Sequence, residues 1–195
     1  MKDRWLRNSS RTEPGGVSER ELIGLVRSGD PSGMRSLYER YAGYLTAVAA
    51  RYLRDNATVK DVLQDAFVSA YTHLGDFEYR GEDSLRSWMT RIVVNGSLKQ
   101  LRKSGRLTFV DELPDREEET LDTLPTLPAA VLAEMIKALP DGYRTVFNLY
   151  VFEDKTHKEI AQMLGIKEDS SASQYFRARA MLARKIKEYR KKQDE

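Results

Sequence analysis

The sequence predicts an all-α protein made of two small helical domains joined by a flexible acidic linker. Three observations carry that expectation. Apolar residues recur every three or four positions on both sides of a charged, proline-containing stretch, with no convincing strand alternation and no internal repeat. Between Asp111 and Asp122 seven carboxylates (Asp111, Glu112, Asp115, Glu117, Glu118, Glu119, Asp122) stand against Arg116 alone, with Pro114, Pro125 and Pro128 nearby, a composition suited to an extended tether. Near the C-terminus, Thr156-His157-Lys158-Glu159-Ile160-Ala161-Gln162-Met163-Leu164-Gly165-Ile166 has the layout of a helix, a sharp turn and a second helix.

The elements follow in order from their start and stop signals. Residues 1 to 17, with Asn8-Ser9-Ser10 and Pro14-Gly15-Gly16, show no periodicity and read as a mobile tail. Ser18 and Glu21 form a capping-box pattern ahead of Leu22, Ile23, Leu25 and Val26, so a short helix starts there. Asp30 and Pro31 open a longer helix whose Met34, Leu37, Tyr38, Tyr41, Leu45, Val48 and Tyr52 share one face, and its tyrosines are expected in the core. A third helix is expected from near Thr58 to His73, burying Val59, Val62, Ala66, Phe67 and Ala70. A fourth starts at Ser84 and buries Leu85, Trp88, Met89, Ile92 and Val93.

Beyond the linker, Pro128 opens a helix carrying Val131, Leu132, Met135, Ile136 and Leu139, closed by Pro140-Asp141-Gly142 and followed by a helix over residues 143 to 151. In the last helix pair, Ile160, Ala161 and Leu164 face inward, and Gly165 supplies the positive φ that a tight turn requires. Ala161 is small enough for the second helix, expected from about Ser170, to cross closely. This layout points to DNA reading, although an ordinary αα-hairpin in a helical core has the same local pattern.

Composition excludes several classes. The 195-residue chain contains no cysteine, so disulfide frameworks and cysteine zinc sites are ruled out, and only His73 and His157 offer imidazole. No metal and no other cofactor is expected. No apolar run approaches the roughly 20 residues that span a bilayer, and Met1-Lys2-Asp3-Arg4-Trp5 lacks a signal-peptide core, so a cytoplasmic protein without membrane insertion is expected. The net charge of +2 conceals blocks of one sign. Eight cations against Glu188 alone occupy the stretch from Arg177 to Lys192, while Lys99, Arg102, Lys103 and Arg106 end the segment before the linker. Two nucleic-acid-facing units on an acidic tether fit that placement.

Two features of the first half stand out. Asp61, Gln64 and Asp65 share one face of the third helix, and carboxylates at i and i+4 repel by a few tenths of a kcal/mol. Either a solvated helix start or a partner surface accounts for them. The loop Gly75-Asp76-Phe77-Glu78-Tyr79-Arg80-Gly81-Glu82-Asp83-Ser84 mixes aromatic residues with arginine, which can stack unpaired bases. Arg91, Asn95, Lys99 and Arg102 follow on the fourth helix as a polar strip, away from Trp88, whose spacing is that of a core residue.

These residues also spell out a family. Asp61-Val62-Leu63-Gln64-Asp65-Ala66-Phe67, the loop through Phe77 and Gly81, and Ser87-Trp88-Met89-Thr90-Arg91-Ile92-Val93-Val94-Asn95 resemble region 2 of the ECF-type sigma factors, promoter-specificity subunits of bacterial RNA polymerase. Leu139-Pro140, Tyr143-Arg144-Thr145-Val146-Phe147-Asn148-Leu149 and Lys158-Glu159-Ile160-Ala161 through Arg177-Ala178-Arg179 resemble their region 4. The likeness runs from about residue 18 to residue 190 in the family's order and spacing. It implies a region 2 domain over residues 18–106, a linker over 107–127 and a region 4 domain over 128–195.

The resemblance implies that Asp61, Gln64 and Asp65 dock on the clamp helices of the polymerase β′ subunit, within a core enzyme whose β subunit is also a partner. It implies that Tyr79, Arg80, Gly81, Asp83 and Ser84, with Arg91, Asn95 and Lys99, read the minus-ten element of promoter DNA as the strands separate. It implies that the helix over residues 170–182 enters the major groove of the minus-thirty-five element, with Ser170 and Gln174 at phosphates, and Ala172, Ser173, Phe176 and Arg177 facing bases or the groove wall. Lys158 and Arg179 belong to the same DNA set. An anti-sigma factor, often membrane-anchored in this family, is a further expected partner.

The chain departs from the common pattern at Ser170-Ser171-Ala172-Ser173-Gln174, where many members start this helix with a Thr-Val-Lys-Ser-Arg-like run. Two cations and a branched residue are lost, which shifts recognition toward hydrogen bonds and packing, with Tyr175, Ala178 and Leu182 expected to hold the helix on its support. A dimeric helix-turn-helix repressor explains residues 156–190 but gives no role to Asp61, Gln64 and Asp65. A recombinase-like enzyme would need a rigid carboxylate or nucleophile site, and the acidic residues sit in the linker instead.

Overall fold

A computed structural model describes residues 17–105, 107, 109 and 127–194 of the chain. Among them are α1 (Glu19–Arg27), α2 (Pro31–Tyr52), α3 (Asn56–His73), α4 (Ser84–Lys103), α5 (Ala129–Lys137), α6 (Asp141–Val151), α7 (His157–Leu164) and α8 (Glu168–Asp194), with no strand among the described residues. The fold is all-helical, as expected. The helices fall into two compact units, one extending to Lys99 and the other starting at Gln100. The tail over residues 1–16, Arg106 and the acidic block over residues 111–122 lie outside the described residues.

In the first unit, Ser18 and Glu21 make the reciprocal capping box that starts α1, and the Asp30 carboxylate accepts from the Ser32 N–H to start α2 at Pro31. α1 packs on α2, and α2 on α3. Gly33 permits the tight connection: a Cβ there would lie 2.7 Å from the Val26 backbone nitrogen. Leu22, Leu37, Leu45, Val62, Ala70, Leu85, Met89 and Val93 fill the core, and each large apolar side chain contributes about 1.5–3 kcal/mol by leaving water.

The tyrosines of α2 divide. Tyr41 and Tyr52 are buried as expected, but Tyr38 is 59% exposed, its ring lying 5.0 Å from that of Phe67. Residue 38 sits at the edge of the stripe that Leu37, Tyr41 and Leu45 bury, where a tyrosine can rest one face on the helix and keep the other in water. α3 begins at Asn56 rather than near Thr58, because Asp55 caps it by accepting from the Thr58 N–H.

In the second unit, Ile136, Leu139, Ala178 and Leu182 form a core with Leu132, Met135, Tyr143, Phe147, Phe152 and Met181 around it. Pro140-Asp141-Gly142 does not form a separate turn: α6 starts at Asp141 itself, with Pro140 as its cap residue and the Asp141 carboxylate in its first turn. Thr156 and Glu159 build a second capping box at the start of α7, and Gly165 ends it at φ 69° and ψ 35°. α8 starts at Glu168, two residues before the expected position.

Candidate nucleic-acid and partner interfaces

On α3, Asp61, Gln64 and Asp65 are exposed, and neither carboxylate forms an ion pair among the described residues. Beside them runs an apolar groove of about 570 Å3 lined by Met34, Tyr38, Lys60, Leu63, Gln64, Phe67, Val68 and Tyr71. Val68 and Tyr71 are more than half exposed, like Tyr38. Sequence reasoning found the polar half of this face and missed the groove, where Tyr38, Leu63, Val68 and Tyr71 each sit one position outside the buried stripe. Tyr38, Val68 and Tyr71 thus form an exposed apolar strip with Lys60 and Gln64 at its rim.

The loop between α3 and α4 is held by α1 at both ends. The Arg27 guanidinium donates from Nε to the Leu74 carbonyl (3.1 Å) and from Nη2 to the carbonyls of Gly75 (3.2 Å) and Phe77. These acceptors lie at and just beyond the C-terminal end of α3, where carbonyls lack helical partners. Glu19, 1% exposed, accepts the Tyr41 hydroxyl at 2.7 Å and the backbone N–H groups of Leu85 and Arg86, each at 3.3 Å. Its carboxylate therefore caps α4 from another helix. Burial, then the bond to Glu19, pushes the Tyr41 phenol well above the ordinary tyrosine range.

Within the loop, Tyr79 is half-buried with the Arg20 guanidinium 5.2 Å from its ring centroid. Arg80 is exposed but pairs with Glu78 at 2.8 Å, and its N–H points to the Ser84 hydroxyl at 3.4 Å. Gly81 (φ 114°) and Asp83 (φ 64°) take the left-handed turn, and Asp83 lies 3.7 Å from Arg86. On α4, Arg91, Asn95, Lys99 and Arg102 are exposed in one row, while Trp88 is half-buried against Phe77 with centroids 5.1 Å apart. Glu19→Ala is expected to lower stability by about 1–3 kcal/mol, because it leaves buried donors at the α4 start unmet, and Glu19→Gln should recover part of the loss. Denaturant unfolding of the two variants checks this.

The structure sorts the residues of α8. Ala172 and Phe176 are exposed, Arg177 and Arg179 are half-buried, and Lys158 on α7 is exposed. Ser170, Ser173 and Gln174, expected at phosphates or bases, are buried, Gln174 completely. The reason is geometric: Ser171, Gln174 and Ala178 form the side of α8 that packs inward, and Ser170 and Ser173 flank it. Arg177 lies 3.4 Å from the Tyr143 hydroxyl, and Arg179 lies 5.9 Å from the Tyr175 ring centroid. Glu168 and Asp169 occupy the first turn, where they favour the helix dipole and oppose nearby phosphate.

An aromatic stack joins α6, α7 and α8. The rings of Tyr150 and His157 lie 4.7 Å apart, those of Tyr150 and Tyr175 4.4 Å, and His157 Nδ1 is 3.0 Å from the Ser171 hydroxyl. Ser171, where the common pattern has a branched residue, thus gains a polar partner. Tyr175, Ala178 and Leu182 support the helix as expected. Burial lowers the His157 pKa below its ordinary value, with Glu168 opposing. The neutral ring is therefore favoured on folding, so its contribution to stability is lost as pH falls below the ordinary histidine value. The His157 ring resonances should titrate below that value in NMR, with His157→Asn providing the assignment.

The family Sigma-70 region 2 matches residues 37–107, and Sigma-70, region 4 matches residues 129–182. The chain is 26% identical over 184 residues to the ECF RNA polymerase sigma-E factor of Haemophilus influenzae, spanning 87% of this chain and 96% of that one. It is 27% identical over 175 residues to the RNA polymerase sigma-H factor of Pseudomonas aeruginosa, spanning 83% and 90%. Among solved structures, CnrH in complex with the cytosolic domain of CnrY is similar at a TM-score of 0.49 and 25% identity, covering 88% of this chain and 98% of that one. With two sigma-70 regions matched in order and relatives aligned along most of its length, the chain belongs to the ECF-type sigma factors of RNA polymerase, alternative sigma factors that direct promoter-specific transcription initiation.

Proposed function

We propose that the exposed surfaces divide the work of initiation among them. Asp61, Gln64 and Asp65, with the neighbouring groove of Tyr38, Val68 and Tyr71, dock on the clamp helices of the polymerase β′ subunit. The loop from Tyr79 to Ser84 and the row Arg91, Asn95 and Lys99 take up the separated minus-ten strand, for which an aromatic ring beside cations is suited. α8 enters the major groove of the minus-thirty-five element through Ala172 and Phe176, with Lys158, Arg177 and Arg179 around them. Residues 18–106 and 128–195 are the two working domains, and residues 107–127 are their tether.

The observation that carries this reading is the face of α3. An acidic pair without ion-pair partners beside an exposed apolar groove serves no internal purpose, and a DNA-only protein would have no use for it. The protein acts by binding, in the cytoplasm, and performs no catalysis of its own. Among the described residues no helix is long and apolar enough to cross a membrane. An anti-sigma factor that covers the α3 groove would hold the protein inactive by competing with polymerase.

The test is association with core RNA polymerase when DNA is absent. Stable co-elution of the full chain with core enzyme supports the reading, since a sigma factor must load before it finds a promoter. Binding to duplex DNA alone, with no affinity for core enzyme, would replace it with a repressor.

A further inference from the structure

We propose that Ala172 and Phe176 read thymine methyl groups in the upstream promoter element, an inference that rests on the placement of α8 in its major groove. Phe176 is 38% exposed, and Ala172 stands one turn earlier on the same face. Ala180, half-buried, continues the ridge one turn later. The outward ridge in the middle of α8 is therefore apolar.

The polar side chains of the same stretch are buried or stand beside the ridge. Ser170, Ser171, Ser173 and Gln174 are buried, Ser171 against His157. Arg177 reaches toward the Tyr143 hydroxyl, and Arg179 lies over the Tyr175 ring. No amide or guanidinium is left at the centre of the ridge to make the paired hydrogen bonds that identify guanine or adenine. Among the groups displayed in the major groove, the apolar one is the C5-methyl of thymine, and alanine and phenylalanine are side chains that pack against it.

The spacing limits where the thymines stand. Residues four apart on a helix are separated by about 6 Å along its axis, and base pairs rise by about 3.4 Å. Ala172 and Phe176 thus cover a window of about three base pairs, within which one or both strands should carry thymine. Sequence preference in that window depends on the methyl group more than on hydrogen-bonding pattern.

The experiment uses holoenzyme made from the full chain and core polymerase. An upstream element is first selected from a random library, and each thymine in it is then replaced by deoxyuridine, which removes the methyl group and leaves base pairing unchanged. Replacement at the contacted position should weaken binding by about fourfold per methyl. At the position that Phe176 contacts, Phe176→Ala should bind thymine and deoxyuridine templates alike, whereas Phe176→Leu should keep part of the preference. Equal binding of the two templates by the natural protein, or an undiminished preference in Phe176→Ala, overturns the methyl assignment. Indifference to the entire upstream element would instead refute the placement of α8, and this inference with it.

Discussion

Arg144→Ala is expected to remove about 3–5 kcal/mol from the stability of the C-terminal unit, the cost typical of breaking a buried ion pair from one side. Arg144 is 1% exposed, and its Nη2 lies 2.8 Å from the Asp141 carboxylate. Its Nη1 donates to the carbonyls of Lys137 (3.0 Å) and Leu139 (3.4 Å), at and just past the end of α5. One guanidinium therefore joins the end of α5 to the start of α6. Without it, two carbonyls and a carboxylate lose their donors in a site that water does not reach freely. Arg144→Lys should rescue little, since a single ammonium cannot reproduce the forked geometry. Both tryptophans, Trp5 and Trp88, lie in the N-terminal half, so hydrogen exchange over α5–α8 is the measurement that follows this loss.

The second large effect is on assembly. Asp61→Ala combined with Asp65→Ala should weaken binding to core polymerase by about 2 kcal/mol or more, roughly thirtyfold, as expected for charges that meet partners in a desolvated interface. Stability should remain unchanged or rise by a few tenths of a kcal/mol, because the two carboxylates repel at i and i+4. Val68→Asp, which puts a charge in the groove beside them, should impair the same binding. A large fall in melting temperature in the double variant would assign these residues a structural role, and unchanged affinity in a folded protein would remove the α3 face from the docking surface.

Much of the architecture was legible because it depends on local signals. The capping box of Ser18 with Glu21 was readable from residues three apart, and Gly165 from its place after an amphipathic turn, whereas the equally spaced box of Thr156 with Glu159 came only from the structure. The inner face of α3 was readable from periodicity alone. What escaped depends on neighbours distant in sequence. Glu19 lies in the first turn of α1, where a carboxylate serves the dipole, and nothing nearby indicates that it caps a helix 66 residues later. Arg27 similarly reads as a helix-end cation, yet it holds carbonyls 47 to 50 residues away.

The candidate sites divide along the same line. The exposed row on α4 follows from helical spacing, so the exposure of Arg91, Asn95 and Lys99 could be read without a structure. The start of α8 was harder, because carrying positions over from a family pattern ignores how serines and a glutamine repack where larger residues usually stand. Ser171 turns to His157 and Gln174 enters the core, leaving Ala172 and Phe176 as the outward side chains. The apolar groove beside Gln64 was hidden because Tyr38 and Phe67 each looked like ordinary core residues when their helices were read separately.

Whether this chain confers promoter choice on RNA polymerase is decided by run-off transcription with purified core enzyme on a random-promoter library. The predicted result is initiation from a subset of templates that share an upstream element and a minus-ten element at fixed spacing, only when the chain is present, and lost in the Asp61→Ala, Asp65→Ala variant. Initiation without template preference, or none above core enzyme alone while the folded protein still binds DNA, would contradict it.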